Sequence, residues 1–294
     1  MRRFVLFLTA CLAFGAIVAS GKERPIHRPA TTTAFEVGFI DDPVIPESSG
    51  IVASRRFPGV FWTHNDSGNP PLIFAIDRSG KMIGSFPVKR TNRDWEDIAI
   101  DDAGRLYIGE IGNNYARHKQ LAVYRVDEPD PHKPLAAGQS LDVTATWQLR
   151  FPDKPFDCES LFIWKDYGYV VSKLFDGERA ELFRFSLEPQ KIPAVLEKVC
   201  DLPIRFPCTG ADISVDGKHL AIITVAGPYL FDLPKPGDVS ALNKIDPLSV
   251  FYTDIHMEAV CFVDEGLLAT TESRTVYLFR WKDFGPRKEE KPDR

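Results

Sequence analysis

The stretch RDWEDIAIDDAGRLYIGEIGNN, residues 93–114, reads as two β-strands around a tight turn. Ile98, Ile100, Leu106, Tyr107 and Ile108 are its apolar positions, and Asp101-Asp102-Ala103-Gly104 is a turn sequence. Glu96 stands out, because it is a carboxylate at the start of a strand that otherwise reads as buried.

The same unit recurs along the chain. Residues 47–64 read ESSGIVASRRFPGVFWTH, 159–173 read ESLFIWKDYGYVVSK, 209–224 read TGADISVDGKHLAIIT and 258–271 read EAVCFVDEGLLATT. Each is a short strand, a polar turn and a second apolar strand. Glu47, Glu96, Glu159 and Glu258 open four of them, and Asp212 is the nearest equivalent in the other, a few residues further in. Third strands follow at 72–77, 121–126, 181–187, 228–233 and 275–280. More variable fourth strands follow at 82–88, 143–151, 194–202 and 248–255. The last unit lacks a fourth strand, which AFEVGFID (34–41) is placed to supply. Five four-stranded units with interlocked ends predict an all-β fold, a five-bladed β-propeller of antiparallel strands. A β-sandwich is the alternative, but the blade-sized repeat favours the propeller. The propeller is expected over residues 34–283.

In a propeller the first strand of each blade lines the central channel. Antiparallel pairing returns the loop between the second and third strands to the face on which the first strand starts. Glu47, Glu96, Glu159, Asp212 and Glu258 are therefore expected as a carboxylate ring on one face. Like charges so close need relief from a cation, from protons, or from hydrogen bonds to the backbone or a base. An all-oxygen cage suits Ca2+, and a channel cation can be purely structural. The loops expected on that face bring oxygen ligands in Asn65, Asp66 and Asn113. They also bring donors and positive charge in His64, Arg93, Arg117, His118, Lys173, Arg179 and Arg274. Acids that hold a metal, ringed by bases that hold an anion, suit phosphate chemistry.

The pattern resembles the calcium-activated nucleotidases of the apyrase type, through WEDIAIDDAGRLYIGEIG, ESLFIWKDYGYVVSK, EAVCF and THNDSG. ESSGIV, FWTHNDSG and RDWEDIA also resemble secreted phytase-like esterase propellers. The resemblance implies a secreted five-bladed propeller with calcium on its axis, acting on phosphate esters or anhydrides. It implies axial metal positions at Glu96, Glu159, Glu258 and Glu47, the acidic first-blade loop at Asp66, and a phosphate-side base at Lys173. Two departures bear on nucleotide specificity: TGADIS has no opening Glu, and the loop TVAGP is uncharged.

The expected function is a calcium-dependent phosphohydrolase. Asp66, Glu96, Lys173 and Arg117 are its catalytic candidates, and His64, Asn65, Arg93, Asn113, Arg179 and Arg274 its substrate-binding candidates. The alternative is a non-catalytic binding propeller pinned by the cation. A six-bladed lactonase-type propeller does not fit five units. There is no phosphate loop and no His-Glu-x-x-His, and Ser48 and Ser49 lack the surroundings of a nucleophile elbow.

The chain has 294 residues, 44% apolar and 26% charged, with a net charge of −5. That composition is ordinary for a globular protein, and the charge does not point to nucleic acid as a partner. MRR followed by FVLFLTACLAFGAIVA reads as a signal peptide over residues 1–20. Residues 21–33 read as an exported spacer, and 284–294 as a charged disordered tail. LTAC resembles a lipoprotein box, so membrane attachment depends on lipidation of Cys11. The expected product is an exported monomer acting on a small phosphorylated substrate. Cys200 and Cys208 either pair across a short loop, as export permits, or remain buried thiols.

Overall fold

The structure, a computed structural model, describes residues 34–286 except 190, 253 and 255. The signal peptide, the spacer, the Cys11 lipidation motif and residues 287–294 of the tail lie outside the described residues.

Why the opening stretch folds as it does is visible at its turn. Asp101 Oδ1 accepts from the backbone N–H of Ala103 and Arg105 at 3.0 and 2.9 Å. Gly104 closes the turn on the Asp101 carbonyl and takes a φ of 75°, where a side chain would be strained. The flanking strands Trp95–Ile100 and Arg105–Glu110 are buried almost throughout. The outermost strand of the same blade, Val143–Arg150, instead alternates between buried and exposed positions over its second half. Inner strands are therefore covered on both faces and outer strands on one.

Five antiparallel sheets result. Blade 1 is Gly50–Ala53, Val60–His64, Leu72–Asp77 and Met82–Pro87. Blade 2 is Trp95–Ile100, Arg105–Glu110, Gln120–Asp127 and Val143–Arg150, with Ala194–Val195 added in parallel at its edge. Blade 3 is Cys158–Trp164, Tyr167–Ser172, Glu181–Ser186 and Glu197–Asp201. Blade 4 is Cys208–Ile213, His219–Thr224, Gly227–Asp232 and Leu248–Ser249. Blade 5 is Met257–Val263, Gly266–Thr271 and Thr275–Arg280, completed by the N-terminal strand Phe35–Phe39. The expected five blades and the expected N-terminal closure are both present. Each innermost strand packs on the next and the fifth on the first, which closes the ring.

Five hydrophobic clusters fill the five gaps between neighbouring blades. Between blades 1 and 2, Trp62, Phe86 and Trp95 are fully buried. Trp62 donates its ring N–H to Glu128 Oε1 at 2.7 Å, which satisfies the one polar atom of that side chain.

Two expectations need correction, and the alternative left open for Cys200 and Cys208 is resolved. The fourth strand of blade 4 is only Leu248–Ser249 rather than 248–255, and it pairs outward with Gly285–Pro286. These two residues fall in the stretch expected as tail, but a short ladder to the blade edge holds them. Cys200 and Cys208 do not pair: all four cysteines from Cys158 onward are free and buried. Cys200 faces the Val239 carbonyl, while Cys208 faces that of Phe206.

Candidate functional site

A β-bulge recurs at the start of four of the five channel strands. In blades 2 to 5 the pairing register skips one residue: Glu96, Glu159, Thr209 and Glu258 respectively. A bulged residue leaves the ladder and re-aims its side chain. Three of the four are glutamates, and all three line one cavity at the mouth of the channel. Aligning ESSGIV with DWEDIA and DCESLF puts Ser49 at this place in blade 1, with Thr209 in blade 4. Two residues earlier stand Glu47, Asp94 and Asp157, a second tier of acids on blades 1 to 3.

The cavity is about 120 Å³ in volume. Strand starts contribute Glu47, Ser48, Ser49, Glu96, Glu159 and Glu258, and second-to-third loops contribute Asp66, Asn114, Lys173 and Glu272. The two sets meet as antiparallel geometry requires. Six of these ten residues are acidic, and among the described lining residues Lys173 is the one base.

Two of the lining residues, Asp66 and Glu96, form a trio with Asp94 in which each brings an oxygen within 4.8 Å of the others. Glu96 is 3% exposed, and its Oε1 has no hydrogen-bond partner among the described groups. Gly112 makes room for it, since a Cβ there would lie 2.1 Å from Oε1. Asn92 holds the Asp66 loop by donating to the carbonyls of Asn65 and Asp66 at 3.0 and 2.8 Å. The Ser67 N–H caps Asp66 Oδ1.

Electrostatics follow from this crowding. Burial, then the charges of Glu159, Asp66, Asp94 and Asp157, push Glu96 well above the usual carboxylate range. Burial, Asp66 and Asp157 push Asp94 up to about 6. Burial and Glu159 push Glu258 up to about 9. Asp66 and Asp157 are also raised, chiefly by burial. Lys173 ion-pairs with Glu159. Burial opposes the charge on Lys173, but Glu159 and Glu258 outweigh it and raise its pKa. Burial raises Glu159 as well, against the pull of Lys173. Lys173 and Glu159 thus form an ion pair inside the cavity lining.

A hard cation fits this donor set. It is all oxygen, it carries excess negative charge, and it contains a buried oxygen with nothing to bind. Asp66, Asp94 and Glu96 are the residues that would hold the ion.

Of the residues singled out from sequence, Glu47, Asp66, Glu96, Glu159, Lys173 and Glu258 come together. Glu47 sits at the lip, half-buried, accepting from Asn69 Nδ2 at 2.8 Å. Asp212 does not join them. It lies three residues deeper in its strand, where its Oδ2 accepts from the Phe262 N–H at 3.0 Å and the Arg55 charge acts on it. The remaining candidates lie outside the cavity lining. His64 is fully buried, edge-on to Trp95, and burial pulls its pKa down to about 4. Asn65 is buried and donates to the Val44 carbonyl. Asn113 is buried and ties its loop together through Asp157, His118 and Phe156. Arg93 pairs with Glu110 at 3.3 Å. Arg117 lies exposed over Tyr115, and Arg274 lies over Phe39. Arg179 is exposed.

Sequence reasoning passed over Asp94, Asp157, Glu272 and Asp97. The first two carried a signal, since Asp-x-Glu occurs at both 94–96 and 157–159. Asp97 carried none. Its Oδ1 accepts from the Ile98 N–H, and its Oδ2 accepts from Leu161 of blade 3 and Ala211 of blade 4 at 2.8 and 3.2 Å. One carboxylate therefore ties three blades.

No protein-family model and no curated protein matches the chain. Solved structures similar to it include the PQQ-bound aldose sugar dehydrogenase of Streptomyces coelicolor, at TM-score 0.46 and 11% identity, covering 85% of this chain and 98% of that one. A nidogen/laminin complex scores 0.45 at 11% identity, with coverage of 76% and 72%. A catalytically inactive virginiamycin B lyase of Staphylococcus aureus, with quinupristin, scores 0.41 at 13% identity, with coverage of 78% and 64%. At these identities and scores the likenesses carry no argument about activity.

Proposed function

We propose that the chain is an exported, calcium-dependent hydrolase of phosphate esters or phosphoanhydrides, working at the mouth of the propeller channel. The observation that carries this reading is the Asp66–Asp94–Glu96 trio with its unpartnered buried Glu96 oxygen. Calcium, when bound there, would supply charge for phosphate oxygens and acidify water. Lys173 supports the same reading from the chain's side, as a positive group at the cavity able to donate to a phosphate oxygen. Asp66, half-buried where Glu96 is sealed, is the more accessible of the trio and the better placed to take a proton from water. The resemblance to apyrase-type and phytase-like propellers supports the substrate class. A small phosphorylated substrate and a monomeric, exported enzyme belong to the same proposal.

A second reading has its own supporting observation. Arg93, Arg117 and Arg274 are engaged away from the cavity, and Lys173 is already paired with Glu159. That favours a cation centre over an anion pocket, and hence a binding propeller pinned by its ion.

Phosphate release from nucleoside tri- and diphosphates, pyrophosphate, phytate and an aryl phosphate separates the two. Calcium-dependent release that collapses in Glu96→Gln and Asp66→Asn is the expected result. No release from any substrate, with a melting temperature that still drops on chelation, would leave the structural pin.

A further inference from the structure

The acids around the cavity fall into two groups. Asp66, Asp94 and Glu96, from blades 1 and 2, converge within 4.8 Å. Glu159 and Glu258, the bulged residues of blades 3 and 5, line the same cavity and form the other group, and Glu159 is the strongest like charge on Glu258. The groups differ in one respect. The first has a buried oxygen on Glu96 with no partner. The second already has a cation, because the Lys173 ammonium sits on Glu159, and Glu258 and Glu96 are the next carboxylates acting on its charge.

Lys173 is built into this place. Its backbone N–H donates to the Asp157 carbonyl at 2.9 Å, which anchors its root beside the second-tier acid. Its side chain is only 12% exposed and that of Glu159 only 4%. A lysine so enclosed keeps its charge only where carboxylates replace its lost hydration. Two buried carboxylates on one cavity, one crowding the other, equally need a positive charge near them.

We infer that the cavity contains two cation positions, and that the ammonium of Lys173 permanently fills the second, between Glu159 and Glu258. Lys173 is thus a tethered counter-cation that limits the cavity to a single divalent ion. The inference rests on the cation reading proposed above, though not on its hydrolase part. It also explains why the sole base among the described lining residues is ion-paired with an acid of the same cavity.

Calcium stoichiometry tests it, by titration calorimetry on the purified, metal-stripped mature chain. Wild type is expected to take one ion per chain. Lys173→Met, which keeps length and removes charge, is expected to take two, and Lys173→Met with Glu258→Gln to return to one. One ion in both wild type and Lys173→Met overturns the inference alone, as does wild type binding two. Wild type binding none overturns the cation reading and the inference with it. If Lys173→Met is recovered only with calcium present, its ion content after gel filtration is read by atomic emission: two ions support the inference and one overturns it. A one-to-two change without phosphate release would uphold the inference while the hydrolase reading fails.

Discussion

Glu96 and Asp97 are neighbours in the chain, both carboxylates, both buried, yet they serve opposite ends. Asp97 lies on the ladder and points across the channel, where backbone N–H groups of blades 2, 3 and 4 meet its two oxygens. Glu96 is the bulged residue before it, turned to the cavity with a bare oxygen. Burial raises the pKa of both. The difference teaches that burial alone does not mark a ligand site. What marks it is whether the fold supplies enough donors, and at Glu96 it does not. Asp212 falls on the Asp97 side of this division, since its Oδ2 takes the Phe262 N–H across the gap between blades 4 and 5.

The comparison can be broken most sharply at Asp97. Asp97→Ala strands the N–H groups of Leu161 and Ala211, and is expected to cost about 3 kcal/mol. In a domain of this size that lowers the melting temperature by roughly 6–12 °C, with or without calcium. An unchanged melting temperature would show that the three-blade tie contributes nothing.

Glu96→Gln should do the reverse. It removes a charge that crowds its neighbours, so the metal-free protein should melt no lower than wild type. Calcium affinity should fall about tenfold or more, that is, by at least ~1.4 kcal/mol. Calorimetry and melting on the same variant read both effects. A fold defect without loss of calcium binding would put Glu96 in the same class as Asp97.

A pH series sharpens the contrast further. Asp94 and Glu258 are raised to about 6 and about 9, so the folded, metal-free protein holds protons that the unfolded chain has released. Stability from such groups is complete below their unfolded pKa and is lost as pH rises through the folded one. Asp94 completes that loss near pH 6, so between pH 6.5 and 9 the metal-free melting temperature should fall through Glu258, and calcium should restore it most at the alkaline end. His64, held down to about 4, acts below pH 6.5, where stability is lost as pH falls towards 4. A flat metal-free profile from 6.5 to 9 would contradict the crowding of the carboxylates.

The smallest effect is expected at Arg117. It lies exposed over Tyr115, off the cavity lining. Arg117→Ala should change stability by no more than about 0.5 kcal/mol and leave calcium affinity within twofold. A large loss of either would move the working edge of the site outward, onto the blade 2 loop.

Legibility in the sequence followed the range of the interaction. Strand, turn and blade order were readable because they rest on local pattern: apolar runs, Asp-x-x-Gly turns and a repeat near blade length. The N-terminal strand was found because blade 5 lacked an edge. Blade 4 departs from the expected 248–255 because Val250, Tyr252 and Asp254 donate to the carbonyls of Pro228, Ala226 and Val225 without forming a regular ladder, which an apolar run does not reveal. Glu96, Glu159 and Glu258 were readable as repeat positions. Glu47 joins the cavity from two residues before the bulge position, whereas Asp212, expected there by its proximity to a strand start, does not. A bulge shifts register by one residue, and sequence spacing alone cannot say which residue it ejects. The arginines were grouped with the site because they lie on loops of the correct face, but a loop's face does not determine where its side chains point.

The sequence by itself determined five blades, their antiparallel order, the closing strand and the face on which acids gather, because these depend on periodicity and on the strict alternation of strand direction. Only the tertiary structure decided which carboxylates are satisfied. It placed Asp97 under N–H groups 64 and 114 residues away along the chain, left Glu96 without a donor, and set Lys173 against Glu159. Hydrogen bonds to a buried carboxylate come from whichever backbone the ring closure brings near. Those neighbours are distant in the chain and leave no local trace in it.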